Sequence, residues 1–197
     1  MRIKEQKEYK LPKLFDEKDN PVVMTQISSE KLALCVQNGS QESFVELVRR
    51  YEGRLLNFMK YKTGNINDAE DLVQETFIKA YTNIQKYRSS FKFSTWLFTI
   101  ASRLAASHYR KLKLNVSRQE MFCENNQLSE VVEKETNCNL LLLASKLPEN
   151  QYQALWLKYV EDMSVKEISQ VMRKSQVNVK VLLYRARLNL SRLLRRS

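Results

Sequence analysis

Three glycines and three prolines in 197 residues constrain this chain more than any other feature. Sandwiches and barrels reverse direction every few residues, and such turns draw on Gly, Pro and Asn. With so few breakers the chain must run in helices joined by short polar connections. The apolar residues agree. Phe44, Leu47, Val48, Tyr51, Leu55, Phe58 and Met59 recur at steps of three and four, which predicts an amphipathic helix ending near Gly64. A second helix is expected from about Asn67 to Ile84, and a third from about Ser94 to Lys113.

Residues 1–27 are polar, contain Pro12 and Pro21 and mix Lys with Glu and Asp, which reads as a tail. Residues 28–113 carry the three helices. From 114 to 137 the periodicity lapses into a polar, locally acidic stretch, the composition of a flexible linker. Helical signals resume for a second domain at 138–197. The expected fold is therefore all-α: two small helical domains on a loose tether. Hydrophobic residues, 43% of the chain, suffice for two such cores.

Cys35, Cys123 and Cys138 are far apart and His108 is the only histidine, so neither a disulfide framework nor a zinc site is expected. No apolar run reaches the roughly 20 residues of a membrane span, and the mixed-charge amino end does not resemble a signal peptide. A cytoplasmic protein with no metal and no membrane insertion is expected.

The net charge is +11 and the isoelectric point about 9.6, a surplus that favours polyanionic partners. It is concentrated: residues 139–197 hold eleven Lys and Arg against four Asp and Glu. Within them, Ser164-Val-Lys-Glu167 has capping-box spacing and should open a short helix to Met172, with Val165, Ile168 and Met172 inward. Arg173 and Lys174 form a turn. Ser175 then caps a long helix to about Arg195, whose buried stripe is Val179, Leu183, Ala186 and Leu190. Two helices at a tight joint with a basic second member make a helix-turn-helix. Gln176, Asn178, Lys180 and Val181 occupy the amino end, where base edges are read, and Arg185, Arg187 and Arg192 lie further along. An ordinary helical hairpin with a solvated basic face fits the same pattern.

In the central stretch, Asp68, Asp71 and Glu75 fall on one helical face, opposite Ala69, Val73, Thr76 and Ala80. Two of the acids could simply complement the positive helix start; Glu75 lies beyond its reach. A basic partner surface accounts for all three. Next come Phe91-Lys-Phe-Ser-Thr-Trp-Leu-Phe98 and a helix bearing Arg103, His108, Arg110 and Lys111. Aromatics interleaved with bases suit unpaired nucleic acid, rings stacking while cations hold the backbone. Trp96, Leu97, Ile100, Ala101 and Leu104 also form a stripe that reads as core, whereas Phe91 and Lys92 precede the helix and are freer.

These motifs together resemble the extracytoplasmic-function sigma factors. The segments that carry the likeness are DAEDLVQETFIKAY (68–81), KFSTWLFTIA (92–101), LPENQYQALWLKYVEDMSVKEI (147–168) and the Ser175, Val179, Lys180, Arg185-Ala186-Arg187 run. The resemblance implies a region-two domain at 28–113 and a region-four domain at 138–197. Core RNA polymerase, through the clamp coiled coil of its largest subunit, would meet Asp68, Asp71, Leu72, Gln74 and Glu75. The −10 element, opened to single strands, would meet Phe91, Lys92, Trp96, Arg103, His108, Arg110 and Lys111. The duplex −35 element would meet Lys174, Ser175, Gln176, Asn178, Lys180, Val181, Tyr184 and Arg185. Family members are often restrained by an anti-sigma factor, so one is implied here. The chain departs from the family's usual residues at Arg103, Ser107, Arg173 and Lys180-Val181-Leu182.

No P-loop and no nucleophile or metal constellation is visible, so the resemblance implies an initiation factor without cofactor or catalytic residue. One rival is a stand-alone helix-turn-helix regulator that binds duplex DNA directly; another is an RNA-binding or nucleic-acid-processing protein.

Overall fold

A computed structural model describes residues 26–116, 143–144 and 146–195, with the side chains of 111–116 outside the description. Among these residues every regular element is helical: α1 (Ser29–Gln37), α2 (Gln41–Thr63), α3 (Ile66–Thr82), a single 3-10 turn (Ile84–Lys86), α4 (Phe93–Val116), α5 (Glu149–Leu155), α6 (Val165–Met172) and α7 (Gln176–Leu194). Side-chain oxygens of Ser28, Ser40, Asn65, Ser164 and Ser175 accept the first free amides of α1, α2, α3, α6 and α7. Each such cap stabilises its helix by about 1 kcal/mol. Gly64 ends α2 at φ 68°, the left-handed conformation glycine adopts without penalty.

The first four helices pack as one bundle around α2. Leu47, Leu55, Phe58 and Met59 meet Leu32, Leu97 and Phe98 in its interior, and the Phe58 and Phe98 rings stand edge to face at 5.2 Å. On α3 the expected inner set is buried: Ala69, Thr76 and Ala80 fully, Val73 nearly so. Their small size lets α3 lie close against its neighbours. On α2 itself, Glu46 takes bonds from both Arg49 and Arg50, and Arg50 reaches back to the carbonyl of Ile27.

The second bundle is α5–α7. Val179 and Ala186 of α7 and Ile168 of α6 are fully buried. On α6 the inner positions are Ile168 and Val171, while Val165 and Met172 are only half-buried. Of the expected trio, Ile168 is the fully buried member, Val165 and Met172 pack at the edge of the core, and Val171 is the inner position not foreseen, because α6 is too short for periodicity to fix its rotation. After α5 the chain widens into π-type hydrogen bonding at Trp156–Val160, and Asp162 turns at φ 48°.

The described parts of the two bundles are docked against each other. Glu161, whose side chain is fully buried, receives two bonds from Arg54 at 3.0 and 2.5 Å. Around it, the rings of Tyr61 and Tyr152 stack at 3.6 Å, the Tyr61 hydroxyl donates to the carbonyl of Leu147, and Lys62 pairs with Glu149. Partners 86 to 107 residues apart leave no local signature. Cys35 is half-buried and unbridged. The tail to residue 25, residues 117–142, and with them Cys123 and Cys138, lie outside the described residues.

Candidate nucleic-acid interface

The outer face of α3 holds the acidic residues. Asp68 Oδ1 lies 3.9 Å from His108 Nε2 on α4. Glu75 pairs with Lys79 one turn later, at 2.8 Å. Asp71 and Gln74 are exposed, and among the described residues Asp71 has no cationic partner within ion-pair distance. Glu75 thus finds a cation within this chain, Asp68 lies near the His108 imidazole, and Asp71 is left facing outward. Leu72 does not belong with them. It is 4% exposed and part of the core, because it follows Ala69 by one turn on the inner face, and its remaining surface lines the cleft between α3 and α4.

Between α3, α4 and the end of α6 lies a cleft of about 710 Å³. Four of the residues expected to serve single strands line it: Trp96, Arg103, His108 and Arg110. Lys79, Asn83, Lys86 and Arg173 line it too, and sequence reasoning missed all four. Lys79 was masked by its role as a helical partner to Glu75; Lys86 and Arg173 sit in turns whose direction no periodicity gives. Trp96 is half-buried, its ring 5.4 and 5.7 Å from those of Tyr87 and Phe93. It is at once core and cleft wall.

Phe91 stands apart, 49% exposed just ahead of α4. Lys92 donates across the domain junction to the carbonyl of Asp162 at 3.3 Å, and Thr95 donates to Glu167. Burial pushes the Glu167 carboxyl up, but bonds from the Ser164 backbone and hydroxyl and from Thr95, with the Lys92 charge nearby, leave it below its ordinary value. At Glu161 the balance tips the other way: burial raises the carboxyl despite Arg54. The α4 side chains of 111–116, Lys111 included, are outside the description.

The α6–α7 pair has the expected joint. Both halves of the Ser164–Glu167 capping box are formed. Arg173 occupies the turn at φ 53°, a left-handed conformation that costs a non-glycine residue roughly 1–2 kcal/mol. The Ser175 hydroxyl is engaged as the α7 cap, accepting from the Asn178 amide at 3.2 Å. Gln176, Asn178, Lys180, Val181, Tyr184 and Arg185 are all exposed on α7, while Lys174 is half-buried. An amphipathic helix with amides and cations at its free amino end is suited to base edges and phosphates in a duplex groove.

Comparison with known proteins agrees. Residues 47–114 match the family model of sigma-70 region 2, and residues 139–190 that of sigma-70 region 4. The ECF RNA polymerase sigma factor SigW of Bacillus subtilis (strain 168) is 30% identical over 81% of this chain and 93% of its own. SigM of the same organism is 34% identical over 77% and 94%. The fold is that of the sigma factor RpoE of Bartonella quintana, solved in complex with the anti-sigma factor NepR, with a TM-score of 0.68 at 22% identity over 78% of this chain and 98% of that one. The chain belongs to the ECF RNA polymerase sigma factors, initiation factors that bind core polymerase and direct it to promoters.

Proposed function

We propose that the three surfaces divide the work of initiation. Asp71, with Gln74 and Glu75 beside it, grips the clamp coiled coil of the polymerase's largest subunit, and Asp68 joins them by exchanging His108 for a cation of the enzyme. The cleft walled by Trp96, Arg103, His108 and Arg110, with Phe91 and Lys92 at its approach, takes the separated strand of the −10 element. The outer face of α7 reads the −35 duplex. Domain limits at 28–113 and 138–197, with 114–137 as connector, go with this division.

Each strand-separation step costs about 1.4 kcal/mol of stacking, which capture of unpaired bases in the cleft offsets. Fixing both DNA-reading surfaces on one enzyme raises the effective concentration of each for its element without adding contacts. The docked domains join Lys92 to Asp162 and place Arg173 in the cleft wall. Polymerase must therefore part them before the −10 strand can enter. Because the Bartonella relative was solved with an anti-sigma factor, a similar restraint is proposed for this chain, acting in the cytoplasm where polymerase is found.

The distribution of charge carries the reading: Asp71 exposed on α3, the cleft lined by Lys79, Lys86, Arg103, Arg110 and Arg173 against the carboxylate of Glu75, and no acid on α7. Run-off transcription with purified core polymerase on genomic promoter fragments tests it. Transcripts should depend on this chain. Tight operator binding without polymerase, and no dependence, would favour the stand-alone regulator.

A further inference from the structure

The start of α2 and the end of α3 share an apolar groove that none of the three surfaces above uses. It measures about 370 Å³ and is lined by Phe44, Val45, Phe77, Ile78 and Tyr81 together with Gln41 and Thr82. Val45, Ile78 and Tyr81 are 66, 62 and 44% exposed, and the Phe44 ring lies 4.8 Å from that of Tyr81. Exposed apolar surface gathered in one place marks a site of interaction, and the volume lies in the range of pockets that enclose compact ligands. On α3 the groove continues the acidic ridge. Ile78 follows Asp71 by seven residues, two turns along the same side, with exposed Gln74 between them. Glu42, exposed next to Gln41, adds a carboxylate on α2.

We propose that the groove takes a segment of this chain's own amino-terminal tail, Leu11-Pro-Lys-Leu-Phe15. The tail enters the bundle close by. The Ile27 carbonyl accepts from Arg50 at 2.6 Å, and Arg50 follows Val45 on α2 by five residues, about 7.5 Å along the axis. Ten residues, 16–25, join the segment to Gln26, and extended they span up to about 33 Å, enough to round α2 and reach Ile78. Leu11, Leu14 and Phe15 bring three apolar side chains within five residues, and Lys10 and Lys13 bring cations to the acidic ridge. Residues 1–13 hold five Lys and Arg against two Glu. The tail's other apolar stretch, Val22-Val23-Met24, follows Asp16, Glu17 and Asp19 and would set like charge against α3. A short tether holds the segment near the groove at a millimolar effective concentration, so modest intrinsic affinity keeps the groove filled. A segment seated there sets its lysines against Asp71, so tail and polymerase compete. That competition, unlike the docking itself, rests on the reading of α3 as the polymerase surface.

The test compares the full chain with its Leu14→Ser, Phe15→Ser double variant by amide NMR of the nitrogen-15-labelled proteins. The backbone signals of Val45, Ile78 and Tyr81 should shift in the variant. A synthetic peptide of residues 8–18, added at about 1 mM, should move them back. The parent chain, its groove already filled, should take up that peptide at least about tenfold more weakly. Unshifted signals in the variant, or equal uptake of the peptide by both chains, would overturn the docking. So would shifts that grow with protein concentration, which assign the groove to a second copy. Core polymerase should bind the variant about tenfold more tightly than the parent. Equal affinity would overturn the competition, and association of neither chain would overturn the α3 reading; in both cases the docking stands on its amide signals.

Discussion

Helices α3 and α7 are built alike and carry opposite charge. They have 17 and 19 residues, each starts on a side-chain cap, and each buries a stripe dominated by small or branched side chains. What differs is the free face. Helix α3 carries Asp68, Glu70, Asp71 and Glu75 against the single cation Lys79; α7 carries Lys180, Arg185, Arg187 and Arg192 and no acid. The core of a helix says how it is held, and the charge of its solvent side says what it meets.

Breaking the α3 side should have the largest effect. Asp71→Arg with Glu75→Arg reverses the ridge and should abolish association with core polymerase in a pull-down, with helical content unchanged. Little helix stability is at stake, because the Glu75–Lys79 pair it removes is worth only a few tenths of a kcal/mol. Retained association would detach α3 from polymerase.

Next in size is Arg54→Ala, which tests whether the two helices are held by one docked body. It strands the buried Glu161 carboxylate, at a cost of about 3–5 kcal/mol. Parting the domains relieves that cost, so small-angle scattering should show an expanded particle. Adding Glu161→Leu should restore compactness, since a buried pair is replaceable by apolar contact. A particle that stays compact in the single variant would show the ion pair to be incidental to docking.

On α7 two changes should separate reading from grip. Asn178→Ala is expected to cost about 1–3 kcal/mol on the preferred −35 duplex and less on others. Arg185→Ala should weaken all duplexes alike and lower the salt dependence by about one phosphate contact. Both are measurable by titration at several salt concentrations.

The smallest effect belongs to the scaffold. Arg49 and Arg50 hold the Glu46 carboxyl far below its usual range, at about 2. A lowered folded-state pKa means that the stabilisation is present at neutral pH and is lost as pH falls through the carboxylate range towards that value. Glu46→Gln should therefore melt below the parent protein at neutral pH, with the gap closing as the solution approaches pH 2. Polymerase and duplex binding at neutral pH should stay as they were, because Glu46 faces neither surface.

Helices α2, α3, α4, α6 and α7 were legible because their causes are local: apolar residues three and four apart, and serines whose oxygens meet amides three residues on; α1 and α5 are too short for their periodicity to stand out. The acidic face of α3 and the basic face of α7 followed, since rotation about a long helix is fixed by its own sequence. Leu72 shows the limit of motif reading, because likeness placed it with the acids while its neighbour Ala69 placed it in the core. Only the tertiary structure brought Lys86 and Arg173 to the cleft of Trp96, and Glu161 to Arg54. Those meetings depend on how whole helices pack, summed over many contacts between residues remote in the chain, and no short stretch of sequence contains them.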